Sequence, residues 1–194
     1  MPVTSTQSFI LTTLAATGLL VLSAHLKVAI PGTPVPLTFQ TLVVSLMAFT
    51  MGPVAALAAL SLYLAGGLVG LPFFAPGVSV FAIGINAFLR PTFGYLIGFF
   101  PMVLASSYLA NLFKKIVAGQ TSSTQPSLLS SVALLSTAAL LGSFLCFACG
   151  VIWLKLLMGD WQMAFTLGFL PFLLGDVVKS VLAGLIAAPL RRNS

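Results

Sequence analysis

The sequence predicts an all-α, polytopic integral membrane protein, a single domain of six transmembrane helices, and three observations carry that prediction. Of 194 residues, 59% are hydrophobic and only 5% charged, with a mean hydropathy of +1.17, whereas soluble domains carry roughly 25% charged residues. Apolar runs recur along the chain, separated by short breaks rich in proline and glycine. Four of the eight basic residues form the pairs Lys114-Lys115 and Arg191-Arg192 at the ends of such runs, a pattern that suits a lipid bilayer and its surface rather than a nucleic acid.

The first helix is expected over residues 9–30. No basic residue precedes it, so it lacks the charged head of a secretory signal and is expected to be retained. It gives way to Pro31, Pro34 and Pro36, three prolines in six residues that forbid a helix. The second helix, 37–51, opens with the polar set Thr38, Gln40 and Thr41, which a short or tilted span directs into a cavity, and it stops at Gly52-Pro53. The third, 54–70, is rich in alanine, and Gly66 and Gly70 are spaced for the close approach of another helix.

The stretch 71–89 breaks this rhythm, with Pro72, Pro76 and Gly77 followed by Asn86 and then Arg90. Irregular backbone at membrane depth survives only where protein or a water-filled cavity shields it, so this stretch is a candidate binding surface. A fourth helix, 91–113, opens with a proline and closes at Lys114-Lys115, ahead of a polar loop at 119–127. The fifth, 128–158, ends among Trp153, Lys155, Asp160 and Trp161, an interfacial set. The sixth is expected over 163–190. Six spans put both termini on one side with four basic residues, against Lys27, Arg90 and Lys155 on the other, which predicts both termini on the cytoplasmic side of the cell membrane.

The chemistry concentrates in the sixth helix. Asp176 is one of only two acidic residues, and in a continuous run it would lie roughly 20 Å deep, near the bilayer midplane. A charge at that depth costs about 2.5–3.5 kcal/mol and marks a pathway or ligand site. Lys179, three residues on, shares its helix face. The chain has no glutamate, no metal-ligand cluster, no phosphate-binding glycine loop and no nucleophile beside a base, so neither an enzyme nor a metal or other cofactor is expected. Cys146 and Cys149 read as small hydrophobes, and His25 as an interfacial side chain. The remaining polar groups suit one small polar ligand.

Four stretches then carry a likeness: Ile30-Pro-Gly-Thr-Pro-Val-Pro-Leu-Thr-Phe-Gln-Thr41, Leu62-Tyr-Leu-Ala-Gly-Gly-Leu-Val-Gly-Leu-Pro-Phe-Phe-Ala75, Arg90-Pro-Thr-Phe-Gly-Tyr-Leu-Ile-Gly-Phe99 and Gly175-Asp-Val-Val-Lys179. In this order they resemble BioY, the biotin-specific substrate-binding (S) subunits of the energy-coupling-factor (ECF) vitamin transporters. The resemblance implies a six-helix S-component with an outward-facing cavity roofed by loops. It also implies a membrane coupling protein and two ATPase subunits as partners, and biotin as ligand. The chain departs from the family pattern at Arg90 and Phe93, where glycines are common. It also lacks the family's Ala-x-x-x-Ala on the first helix, which Thr12 with Ala16, or Thr13 with Thr17, only approximates.

Biotin's ureido ring offers two N–H donors and a carbonyl acceptor, which a carboxylate and an ammonium side by side would satisfy, and Asp176 with Lys179 is such a pair. Arg90 would take the tail carboxylate, with Asn86, Gln40, Thr38 and Tyr95 as further contacts and Pro31, Pro34 and Pro36 in a gating loop. The alternatives are an S-component for another vitamin, a proton-coupled secondary transporter using Asp176, and a purely structural membrane protein, which leaves the buried charges unexplained.

Overall fold

The computed structural model describes residues 6–75, 89–120 and 127–192. Helix α1 (Thr6–His25) buries Thr13, Ala16, Thr17, Leu20 and Ala24, a stripe at helical spacing. This stripe packs on α3 (Pro53–Leu68), and the Thr17 hydroxyl donates to the carbonyls of Thr13 at 2.9 Å and Ala59 at 3.2 Å. The small residues Thr13, Ala16 and Thr17 are therefore used inside the bundle, all three being buried.

The first helix ends five residues before the expected Ile30. Beyond it, β1 (Lys27–Val28) pairs antiparallel with β2 (Leu37–Thr38), Lys27 opposite Thr38 and Val28 opposite Leu37. Residues 37 and 38, expected to open the second helix, are strand instead. The physical reason is the intervening segment: its prolines exclude helix, and Gly32 takes a positive φ of 86° that turns the chain back on itself. Helix α2 (Gln40–Thr50) follows, and Gly52, at φ 79°, turns the chain so that Pro53 opens α3.

Gly66 and Gly67 admit rings rather than a helix. A Cβ on Gly66 would fall inside the Phe73 ring, and one on Gly67 inside the Phe74 ring, because the chain folds back over α3 after Leu68. Gly70, the other half of the expected helix-approach pair, instead takes a positive φ of 98° in the turn.

Helix α4 (Phe93–Gln120) lies against α5 (Leu128–Met158), which is capped at its start by Ser127 and stopped by Gly159 at φ 79°. Their closeness rests on Gly94 and Gly98 facing Trp153 and Cys146, and on Gly142 and Gly150 facing Ser106 and Tyr95. Trp153 is drawn inward from the expected interfacial set, donating from Nε1 to the Arg90 carbonyl at 3.0 Å, while the Lys155 ammonium lies 5.6 Å from the Trp161 ring.

The sixth crossing is two helices, not one continuous run. Asp160 caps α6 (Trp161–Gly168), a 3-10 turn covers Leu170–Phe172, and α7 (Leu173–Arg192) follows. Pro171 makes the break: it has no N–H for the carbonyl of Leu167, and its ring would collide with that carbonyl in an unbroken helix. Asp176 thus lies in the first turn of α7, where the helix dipole favours a carboxylate, rather than midway along a continuous helix.

Among the described residues, four stretches, Thr6–His25, Phe93–Ile116, Leu128–Met158 and Trp161–Arg191, are long and apolar enough to cross a bilayer, and the shorter apolar helices Gln40–Thr50 and Pro53–Leu68 complete a six-segment membrane bundle. Helix α5 packs between α4 and α7, and α2 contacts both α4 and α7.

Candidate functional site

A cavity opens among β2, α2, α4, α5 and the start of α7, with about 590 Å³ of empty space including its mouth. Its walls are largely apolar and aromatic: Phe74, Leu96, Phe99, Phe147 and Phe172 contribute rings and branched chains. The polar lining comes from Thr38, Gln40, Thr41, Thr92, Tyr95 and Lys179. A mostly apolar lining with a few placed polar groups is the usual form of a small-molecule site.

Lys179 is the ammonium at this wall. Its Nζ lies 3.7 Å from Asp176 Oδ1 and donates to the Thr38 carbonyl at 3.3 Å, so it ties α7 to the strand ahead of α2. Asp176 is 2% exposed and lies behind Lys179, outside the lining. Its Oδ2 accepts from the Ser143 hydroxyl on α5, while its Oδ1 has the ion pair but no hydrogen-bond donor among the described residues. A buried charge so held is compensated on one oxygen and keeps acceptor capacity on the other.

Gln40, the first residue of α2, is buried at the wall. Its Oε1 accepts from the Thr38 hydroxyl at 3.2 Å, and its Nε2 donates to the Tyr63 hydroxyl at 2.9 Å. Thr41 belongs to the same wall, and its Oγ1 is buried without a partner among the described residues.

The broken sixth crossing joins the cavity to its roof. Pro171 leaves the Leu167 carbonyl without a helical donor, and the Thr33 hydroxyl takes it at 2.6 Å. Phe172 N–H turns to Phe169 in the 3-10 turn, which frees the Gly168 carbonyl for the Tyr95 hydroxyl at 2.6 Å. The Thr33 hydroxyl also accepts from Val35 N–H at 3.2 Å. Val35 and Pro36 line the cavity, whereas Pro31 and Pro34 face outward on the same loop.

Arg90 stands in the turn ahead of α4, outside the lining. It donates from Nη1 to the Ala75 carbonyl at 2.8 Å, and burial lowers its pKa from the usual arginine range. Asn86 lies outside the described residues. Of the expected site residues, the fold therefore brings Thr38, Gln40, Tyr95, Lys179 and Pro36 to one cavity, with Asp176 directly behind.

Sequence reasoning missed Ser143, Tyr63, Thr33 and Cys146 as parts of this site. Ser143 is 33 positions from the carboxylate it serves, in a long apolar run, and only the packing of α5 on α7 joins them. Tyr63 sits inside the stretch 62–75, but nothing local to it points to Gln40. Cys146 is the small buried hydrophobe expected, and it also lines the cavity, its thiol donating to the Tyr95 carbonyl at 3.5 Å.

A family model described as the BioY family matches residues 1–194. The chain is 31% identical over 181 residues to the biotin transporter BioY2 of Lactococcus lactis subsp. cremoris, covering 93% of this chain and 89% of that protein. To the biotin transporter BioY of Thermotoga maritima it is 32% identical over 176 residues, covering 91% of each. Its fold matches the crystal structure of the S-component for biotin from an ECF-type ABC transporter, with a TM-score of 0.76 at 21% identity over 97% of this chain and 94% of that one.

Proposed function

The chain belongs to the BioY family, and from that premise we propose that it is a multi-pass membrane protein of biotin uptake, the subunit that binds biotin for an ECF-type transporter. The observation that carries the proposal is Lys179: an ammonium at the wall of an otherwise largely apolar cavity, paired with a buried carboxylate that keeps one oxygen free of hydrogen bonds. The ureido carbonyl accepts from Lys179, a ureido N–H reaches Asp176 Oδ1 once the Lys179 side chain shifts aside to admit it, and the thiophane ring and aliphatic tail take the aromatic walls. Arg90, in the turn next to the lining residue Thr92, is the cation for the tail carboxylate.

The chain carries no ATPase motif, so energy comes from partners: a membrane coupling protein and two ATPase subunits, with both termini of this chain on the cytoplasmic face of the cell membrane. The test is equilibrium binding of biotin to the purified chain in detergent with no nucleotide present, with other vitamins as competitors. Saturable biotin binding is expected, with no displacement by the others. Binding of a different vitamin in its place would overturn the ligand, and uphill biotin accumulation by vesicles holding this chain alone under a proton gradient would overturn the dependence on ATPase partners.

A further inference from the structure

Tyr63 does not line the cavity, yet its hydroxyl is the partner of a residue that does. Its ring is 1% exposed and is held without help from that hydroxyl: Phe73 lies nearly parallel at 6.3 Å between centroids, Phe74 stands edge-on at 5.5 Å, and Gly66 and Gly67 leave the room those two rings occupy. Packing alone would be served equally by phenylalanine, and a hydroxyl buried this deeply is costly unless it is paired.

The pairing falls on Gln40. The terminal torsion of a glutamine is broad, and its amide can present either end to a ligand. Here Thr38 holds the oxygen end and Tyr63 the nitrogen end, so the amide plane is set from both sides before any ligand arrives. One N–H and one lone pair of the amide are left over, a donor and an acceptor side by side. The Thr38 carbonyl in turn receives Lys179, so Tyr63, Gln40, Thr38 and Lys179 form one hydrogen-bonded chain from α3 to α7. Orientation fixed in advance is affinity that is not spent on ordering a side chain at binding.

We propose that Tyr63 is a positioning residue for ligand binding, acting through the amide of Gln40 rather than by touching the ligand. The proposal rests on the biotin site assigned above. It is tested by a double-mutant cycle on the purified full chain, measuring the biotin dissociation constant of the wild type, Tyr63→Phe, Gln40→Ala and the double variant, beside the thermal unfolding midpoint of each without biotin. Tyr63→Phe is expected to weaken biotin binding roughly two- to tenfold, the size of one lost hydrogen bond, with the midpoint nearly unchanged. In the Gln40→Ala background the same substitution is expected to cost nothing further. If Gln40→Ala does not fold, Gln40→Met, which keeps the volume, takes its place in the cycle. Undiminished affinity in Tyr63→Phe, or the same factor in both backgrounds, would overturn the positioning role. A wild-type chain that binds no biotin would overturn the site assignment itself, and this result is distinct from either of those.

Discussion

The Thr33 hydroxyl and the Leu167 carbonyl, 134 residues apart in sequence, are joined by a 2.6 Å hydrogen bond that exists because Pro171 leaves that carbonyl unpaired. The bond fastens the segment between β1 and β2, whose Val35 and Pro36 line the cavity, to the broken sixth crossing. Thr33→Val keeps the shape and removes the hydroxyl. Biotin dissociation from this variant is expected to be faster by roughly two- to tenfold, one hydrogen bond's worth, with little change in association. Stopped-flow or surface-based dissociation kinetics measure it, and an unchanged off-rate would remove the loop from the gating role.

The charge pair is expected to fail when either member is removed and to be only partly rescued when both are. Asp176→Asn leaves Lys179 without its counter-ion, and Lys179→Met strands a buried carboxylate, each costing about 3–5 kcal/mol, or roughly two to four decades if it falls on affinity. Combining the two removes the uncompensated charge. The double variant is expected to regain expression and remain unable to retain biotin; near-normal binding by it would reduce the pair to a structural ion pair.

Ser143→Ala removes the donor to Asp176 Oδ2 without disturbing the charge count. A hydrogen bond to a charged group contributes about 1.5–3 kcal/mol, so biotin affinity is expected to fall by roughly ten- to a hundredfold while the chain still folds. Titration of the variant beside the wild type checks this, and equal affinities would detach Ser143 from the site.

Cys146 supplies a reporter within the chain. Cys146 contributes to the cavity lining but is 1% exposed, so a reagent reaches its thiol only when the wall opens, while Cys149 is only half-buried and lies outside the lining. Bound biotin is expected to slow alkylation of Cys146 by a small membrane-permeant maleimide and to leave Cys149 unaffected, as read by mass spectrometry of the labelled peptides. Equal rates with and without biotin would place the ligand elsewhere.

Gly150→Ala is expected to be destabilising out of proportion to one methyl group. Its Cβ would fall inside the Tyr95 ring, which would have to leave the cavity wall and give up the Gly168 carbonyl. Overpacking of this kind costs about 1–3 kcal/mol, seen as a lower unfolding midpoint together with weaker biotin binding.

Legibility of the sequence followed the range of the forces involved. Apolar runs long enough for a bilayer are a local signal, and the fifth, 128–158, stands in the structure as a single helix over those residues. The 163–190 run reads as continuous because hydropathy does not register one missing N–H; Pro171 was visible, but its consequence depended on Thr33 and Tyr95 arriving from elsewhere to take the freed carbonyls. The strand pairing of Lys27–Val28 with Leu37–Thr38 is two residues long and has no periodicity to read. At the site, Asp176 and Lys179 stood out because charge is scarce in this chain, and Gln40 and Thr38 because they open an otherwise apolar run. Tyr63 and Ser143 are ordinary residues in apolar helices, and only tertiary packing gives them partners at the cavity.

The shortness of α3 has a consequence for the lipid around it. At 16 residues it rises about 24 Å, against roughly 30 Å for the hydrocarbon of a typical bilayer. It is a peripheral helix, with Val54 and Leu62 facing outward, so lipid rather than protein meets the deficit. The acyl chains beside it must compress or tilt, at a fraction of a kcal/mol per Å of mismatch. Because α3 also carries Tyr63, membrane thickness acts on the same helix that orients the cavity amide. Acyl-chain length is thereby expected to tune ligand affinity in reconstituted vesicles, with short-chain lipids favouring the bundle as it stands; biotin titration in vesicles of graded chain length checks it.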